Sequence, residues 1–129
     1  MEIKGPEGWL MLPSFVSLLQ EASEGIQTTF VINFRDTNYG PETGGFHPVE
    51  MMINSKGEFD YVTDFCYVGR PPTHELIKKI DFDFENKNFI HFGTYFPIQS
   101  GAGLWKIWQE NFITYHKMGV YETSIQGLF

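Results

Sequence analysis

The stretch LIKKIDFDFENKNFIHFGTYF, from Leu76 to Phe96, has the alternating pattern of a β-hairpin. Side chains alternate across a strand, so Ile80, Phe82 and Phe84 share one face of the first strand. The opposite face of that strand carries Asp81, Asp83 and Glu85. Because a carboxylate is costly to bury, the stretch predicts a half-buried antiparallel sheet whose acidic face looks at solvent or at a partner.

The second strand of this hairpin allows its register to be predicted. The two apolar faces coincide when Phe82 lies opposite Phe92, which leaves a three-residue turn at 86–88 with its last asparagine in the left-handed conformation. This register also places Asp83 across from His91. We expect either a solvated pair of little energetic consequence or a pair that raises the pKa of the histidine.

The size and charge of the chain limit the classes of function. A chain of 129 residues is expected to form one domain, here 1–129. The formal net charge of −7, from 16 acidic and 9 basic residues, argues against binding to nucleic acid or to anionic membranes. Basic protein partners remain compatible with this charge, and a homo-oligomer is an open alternative.

The single cysteine and the apolar segments indicate the compartment. Cys66 is the one cysteine, so no disulfide forms within the chain, and its strand pattern predicts a buried side chain. No segment approaches the roughly 20 apolar residues of a membrane span. The first 20 residues lack the layout of a secretory signal. We therefore expect a cytoplasmic protein, with signal-free export as the alternative.

The remaining periodicities complete the predicted architecture. Helical spacing predicts a helix that opens at Pro13-Ser14 and stops at Gly25, and a second helix over 104–117 that stops at Gly119. Strand patterns occur at 26–35, 46–54, 58–68 and 120–126. Bulky side chains on both faces of 58–68 predict a central strand. The expected fold is α+β, a twisted antiparallel meander sheet of about five to six strands with both helices on one face.

A glycine-rich loop at 36–45 is the first candidate site, because long loops are often functional. Polar side chains bracket this loop: Arg35, Asp36, His47 and Glu50. They predict either a polar site at one sheet edge or simple anchoring, with Asp36 as a turn cap and Arg35 as its ion-pair partner. His47 and Glu50 point to opposite faces of a strand, so this spacing does not predict a metal site.

Patterns typical of catalysis are weak in this sequence. Asp81 and Asp83 can be paired as acid and base only in a pocket that separates their pKa values, and no such pocket is predicted. No nucleophile-elbow pattern occurs, and the glycines of GAGLW do not form a phosphate-binding loop. We therefore predict no catalytic residue, no metal and no cofactor.

Several longer stretches together suggest a family: FRDTNYG, GGFHPVE, YVTDFCYVG, ELIKKIDFDF and WQENFITYHKMGVY. From about Phe34 to the end, the chain resembles the bacterial proteins grouped as domain of unknown function 2787, found in marine gamma-proteobacteria such as vibrios. The resemblance implies a fold similar to that of the mitochondrial acidic matrix protein that binds the globular heads of complement. It therefore implies an acidic ligand-binding module rather than an enzyme, and it assigns no site residues.

Two hypotheses of function follow from the sequence. The first is a non-catalytic acidic interaction module that binds a basic protein partner through Asp81, Asp83 and Glu85. The second is a small-ligand-binding or enzymatic α+β cone, in which the helices close over the sheet. A deep cavity lined by Phe and Tyr that ends on His91 or Asp64 is the feature expected of the second hypothesis.

Overall fold

The computed structural model describes residues 1–70 and 72–128 as one seven-stranded antiparallel sheet with two α-helices. The strand order is β6-β5-β4-β3-β2-β1-β7. The elements in chain order are α1 (Pro13–Ala22), β1 (Phe30–Arg35), β2 (Val49–Ile53), β3 (Phe59–Val68), β4 (Glu75–Asp83), β5 (Asn88–His91), β6 (Thr94–Pro97), a 3₁₀ turn (Ile98–Gly101), α2 (Ala102–Lys117) and β7 (Glu122–Gly127).

The predicted α+β class and the antiparallel meander are confirmed, and β3 is the central strand, as its two bulky faces predicted. There is one strand more than expected because the predicted return strand is two strands. Phe92 and Gly93 both have positive φ, 48° and 79°, and they turn the chain between β5 and β6. Two such residues in succession are typical of a tight hairpin turn, which alternation of Phe with other residues cannot reveal.

The predicted register of the β4–β5 hairpin is wrong. Phe82 lies opposite Phe89 and Asp83 opposite Asn88, so the connection has four residues and its left-handed residue is Lys87, with φ 59°. The predicted pair of Asp83 and His91 does not form. The cause is Phe84, which leaves the strand and packs edge-on against Trp9 and Trp105, at 5.2 and 5.4 Å between ring centroids.

Both helices pack on the same face of the sheet through aromatic side chains. Phe82 of β4 meets Trp105 of α2 at 4.9 Å between centroids, and Phe34 of β1 meets Phe112 at the same distance. Phe15 of α1 lies 5.8 Å from Phe112. These rings are almost fully buried and supply most of the apolar burial that holds the layers together.

The segment before α1 is tied to α2 by polar contacts. The side-chain amide of Gln109, which is fully buried, donates to the Leu10 carbonyl at 3.0 Å and accepts from the Leu12 amide at 3.0 Å. The Trp105 indole donates to the Leu10 carbonyl at 2.7 Å. Leu12 precedes the first turn of α1, which begins at Pro13. Of the helices in the described residues, none has the length and apolarity to cross a membrane.

Candidate functional site

A cleft of about 370 Å³ lies between α2 and the sheet, beside the end of the glycine-rich loop. Its wall combines aromatic rings with a few polar side chains, which is the usual composition of a small-molecule site. The polar and indole side chains in the lining are those of His47, Asp64, Lys79, Trp108, Asn111, Tyr115 and Tyr121. The cleft shares its Phe and Tyr lining and Asp64 with the cavity of the second hypothesis, but His91 does not line it.

A carboxylate held by two donors forms one part of the cleft wall. The Oδ1 atom of Asp64 lies 3.0 Å from Nδ1 of His47, and the Trp108 indole N–H donates to Oδ2 of Asp64 at 3.2 Å. An ionised carboxylate only accepts hydrogen bonds. Nδ1 of His47 is therefore the donor in this pair, and the aspartate is oriented through both of its oxygens.

The other ring nitrogen of His47 is left for solvent or ligand. Across residues 1–70 and 72–128, no protein group forms a hydrogen bond with its Nε2 atom. This atom is not buried, because the one buried side-chain polar atom without a partner in these residues belongs to His74. The His47 side chain is 33% exposed. Its Nε2 atom is thus accessible, on a residue that lines the cleft.

A β-bulge explains the presence of Lys79 in the cleft. Asp64 pairs with Ile80, but the next residue, Phe65, pairs with Lys78, so Lys79 is the extra residue of β4. Bulges redirect side chains in this way and are common beside functional sites. The Phe65 amide also donates to the carbonyl of Pro48 at 2.9 Å, which holds the residue after His47 against β3.

The aromatic rings of the cleft wall pack against one another. Phe46 lies 4.7 Å from Tyr115, and Phe112 stacks on Tyr121 at 5.4 Å between centroids. Burial, followed by the negative charge of Asp64, raises the pKa of the Tyr121 phenol. The Tyr121 hydroxyl therefore stays protonated at neutral pH and presents a dipole rather than a charge.

The residues that bracket the glycine-rich loop do not form one site. Asp36 anchors the loop, since its carboxylate accepts from the amides of Asn38 at 2.9 Å and Phe46 at 3.0 Å. Arg35 is exposed and has no ion pair within the described chain, so its predicted pairing with Asp36 is wrong. Of the four, His47 alone lines the cleft.

Glu50 lies on the other face of the sheet, as strand alternation predicted. Its Oε2 atom accepts from the Tyr61 hydroxyl at 2.6 Å. Burial first, and then the hydrogen bond and charge of Glu50, raise the pKa of Tyr61. His47 and Glu50 are therefore separated by the sheet and cannot act on one ligand.

The predicted exposure of the acidic face is wrong for Asp81, whereas Asp83 is half-buried and Glu85 is exposed. Asp81 points away from the helices, yet it is only 5% exposed. Its Oδ1 atom accepts from the Thr63 hydroxyl at 2.9 Å, and Lys78 approaches at 3.9 Å. The carboxylate is covered because its cross-strand neighbours, Thr63 and Ile90, are themselves buried on that face.

Four acids gather at one end of β3 and β4, where Glu58 and Glu85 are exposed and the other two are half-buried. We call Glu58, Asp60, Asp83 and Glu85 the acidic corner. Partial burial first, and then the charges of Glu85, Glu58 and Asp83, raise the pKa of Asp60. Asp83 also accepts from the amide of Asn86 at 3.1 Å. The acidic corner includes Asp83 and Glu85 of the predicted acidic face but not Asp81.

Trp108 and Tyr121 are site residues that sequence reasoning missed. Trp108 carries a core pattern, and nothing in that pattern reveals that its N–H reaches a carboxylate. Asp64 was predicted only as the end of a cavity in the second hypothesis. A signal existed for it, because Asp64 has the same strand phase as Val62 and Cys66, both buried, and an acid at such a position needs a donor.

Comparison with known proteins places the chain in a family. Residues 12–126 match the family described as protein of unknown function DUF2787. The chain belongs to this family. No curated protein matches the chain.

Two solved structures from Vibrio cholerae share the fold. The hypothetical protein VC0508 of the VSP-II pathogenicity island is 34% identical, with a TM-score of 0.80 over 91% of this chain and 94% of that one. The conserved hypothetical protein VC1805 of the VPI-2 island is 32% identical, with a TM-score of 0.81 over 94% of this chain and 98% of that one. VC1805 is described as sharing structural homology with the human P32 protein. The suggested resemblance to DUF2787 is thus confirmed.

Replacing the buried carboxyl, Asp81→Asn, tests the account of the outer face. Burial is the main cause that raises the pKa of Asp81 above its ordinary 3.8. The carboxyl therefore stabilises the folded chain most below pH 3.8, and this contribution is lost as the pH rises through the raised pKa. We expect the stability of D81N relative to the wild type to increase between about pH 4 and pH 7, measured by urea denaturation.

Glu122→Gln, on the exposed edge strand β7, is the control, and its stability relative to the wild type should show no comparable rise. A D81N difference that stays constant with pH would contradict the burial of Asp81.

Proposed function

We propose that this chain is a small-ligand-binding domain that takes its ligand in the cleft between α2 and the sheet. The observation that supports the proposal is the pair of His47 and Asp64 in the wall of an aromatic cleft. A well-formed pocket in which a few polar groups converge is the default hypothesis for a binding site. The proposal is the second of the two hypotheses from the sequence.

The polar groups of the cleft are held before any ligand arrives. Asp64 is bonded at both oxygens, His47 is bonded through Nδ1, and the indole of Trp108 stacks on Phe112 at 5.2 Å between centroids. Side chains locked by such contacts lose little entropy on binding. A volume of about 370 Å³ lies at the lower end of the range for small-molecule pockets, roughly 300 to 1,000 Å³.

A variant that fills the cleft tests this proposal. Asn111 is exposed on α2 and lines the cleft, so Asn111→Trp should occupy the space with little effect on the core. We expect aromatic fragments that bind the wild type, detected by shifts of the Trp108 indole N–H signal in NMR spectra, to bind N111W at least about tenfold more weakly.

Thr114→Trp is the matched control, because Thr114 is exposed on the same helix and is not part of the cleft lining. It should bind fragments as the wild type does. Equal binding to N111W and T114W, or fragment shifts confined to residues outside the cleft, would refute the proposed site.

A basic protein partner at the acidic corner is a second candidate function. The raised pKa of Asp60, caused after burial by three neighbouring carboxylates, favours it, because a cation would relieve this repulsion. The net charge of −7 would steer a basic partner toward the chain. In this form of the interaction-module hypothesis, the acidic corner replaces the sheet face as the binding surface.

Removing two charges of the acidic corner, with Glu58→Gln and Glu85→Gln together, tests the second candidate. We expect an oligolysine peptide to bind the double variant about three- to tenfold more weakly at low salt, with a shallower salt dependence, in calorimetric titrations.

Glu21→Gln with Glu24→Gln removes the same charge from exposed positions at the end of α1 and beyond it. If the two double variants weaken binding equally, the peptide responds to net charge alone and the corner is not a site.

A further inference from the structure

We infer that the cleft selects aromatic molecules that carry a hydroxyl or N–H donor, phenol being the simplest, and that Nε2 of His47 accepts the donated hydrogen. This inference rests on the proposed function, because it names the class of ligand for the same cleft.

The tautomer of His47 decides whether its Nε2 atom accepts or donates a hydrogen bond. Its Nδ1 atom lies 3.0 Å from Oδ1 of Asp64, and the carboxylate cannot donate, so Nδ1 carries the hydrogen. In the neutral imidazole, Nε2 is then an acceptor with a free lone pair. Because Nε2 has no partner within the described residues and the side chain is partly exposed, this lone pair is available to a ligand.

The neighbouring carboxylate is less open to a ligand than His47. Asp64 accepts one hydrogen bond at each oxygen, from His47 and from Trp108, and it keeps lone pairs for further donors. Its side chain is only 16% exposed, however, against 33% for His47, so a ligand donor reaches Nε2 of His47 more readily. An unused acceptor that a ligand desolvates costs free energy unless the ligand supplies a hydrogen.

The aromatic lining of the cleft indicates the chemistry of the rest of the ligand. Rings of Phe46, Phe112, Tyr115 and Tyr121 contribute to the wall together with Trp108. Aromatic rings pair by offset stacking or edge to face, and such pairs exceed simple area burial. The cleft therefore favours a flat aromatic body.

Two other ligand classes fit the cleft less well. An organic cation would meet Lys79, which shares the lining with Asp64. A metal ion would find two ligand side chains here, and the described residues contain no group of three His, Cys, Asp or Glu, whereas a catalytic zinc site needs three. A neutral donor-bearing ring has neither problem.

Phenol and anisole are the matched probes, since they share a ring and anisole lacks the donor. We expect phenol to bind the wild type about three- to tenfold more tightly than anisole, the worth of one neutral hydrogen bond. In ¹⁵N spectra at pH 8, phenol and not anisole should shift the Nε2 signal of His47. A merely structural histidine would not show this difference.

His47→Phe keeps an aromatic ring but removes the acceptor, so phenol and anisole should bind this variant about equally, provided that its circular dichroism matches the wild type. His91→Phe is the control, because His91 is exposed on β5 and outside the cleft, and it should keep the preference for phenol. If H47F does not fold, the change of the wild-type Nε2 signal on addition of phenol still tests the inference.

The outcomes separate the two claims. Equal affinity for phenol and anisole, or a phenol complex in which the Nε2 signal does not move, overturns the donor assignment and leaves the cleft as a site. Binding of neither probe while other fragments enter the cleft also overturns this inference alone. If no aromatic fragment enters the cleft, the proposed function fails with it.

Discussion

The stacking of α2 on the sheet is the interaction on which the rest of this structure depends. Trp105, Trp108 and Phe112 form a continuous aromatic stack along the helix, with ring planes within 7° to 9° of parallel. Phe82 of β4 and Phe34 of β1 pack against the two ends of this stack, on the same face of the sheet. The indole of Trp108 also donates a hydrogen bond to Asp64. The packing of the core therefore also fixes the position of this carboxylate in the cleft.

The end of the glycine-rich loop borders the cleft at Gly45. Asp36 holds its two ends through backbone amides, and the Tyr39 hydroxyl accepts from the Tyr67 amide at 3.0 Å. The Tyr39 ring lies edge-on to His47, at 5.5 Å between centroids. The anchored loop thus leads directly to His47, which contacts Asp64.

Sequence reasoning reached the class, the meander and the central position of β3, because each depends on alternation within a segment. It failed where the outcome depends on a neighbour from elsewhere in the chain. The register of the hairpin was missed because Phe84 leaves its strand for Trp9. The burial of Asp81 depends on Thr63, 18 residues earlier. The hydrogen bond between Trp108 and Asp64 was missed for the same reason, since these residues are 44 positions apart. A single domain, a cytoplasmic location and a homo-oligomer stay predictions.

The hydrogen on His47 is the most direct test of this account, because the ligand class and the role of Asp64 both follow from its position. The measurement is the pair of ¹⁵N shifts and one-bond N–H couplings of the His47 ring in the free wild-type protein, at a pH where the ring is neutral. The account predicts a hydrogen on Nδ1 and a bare Nε2. A hydrogen on Nε2, or a ring that averages between both tautomers, would contradict it.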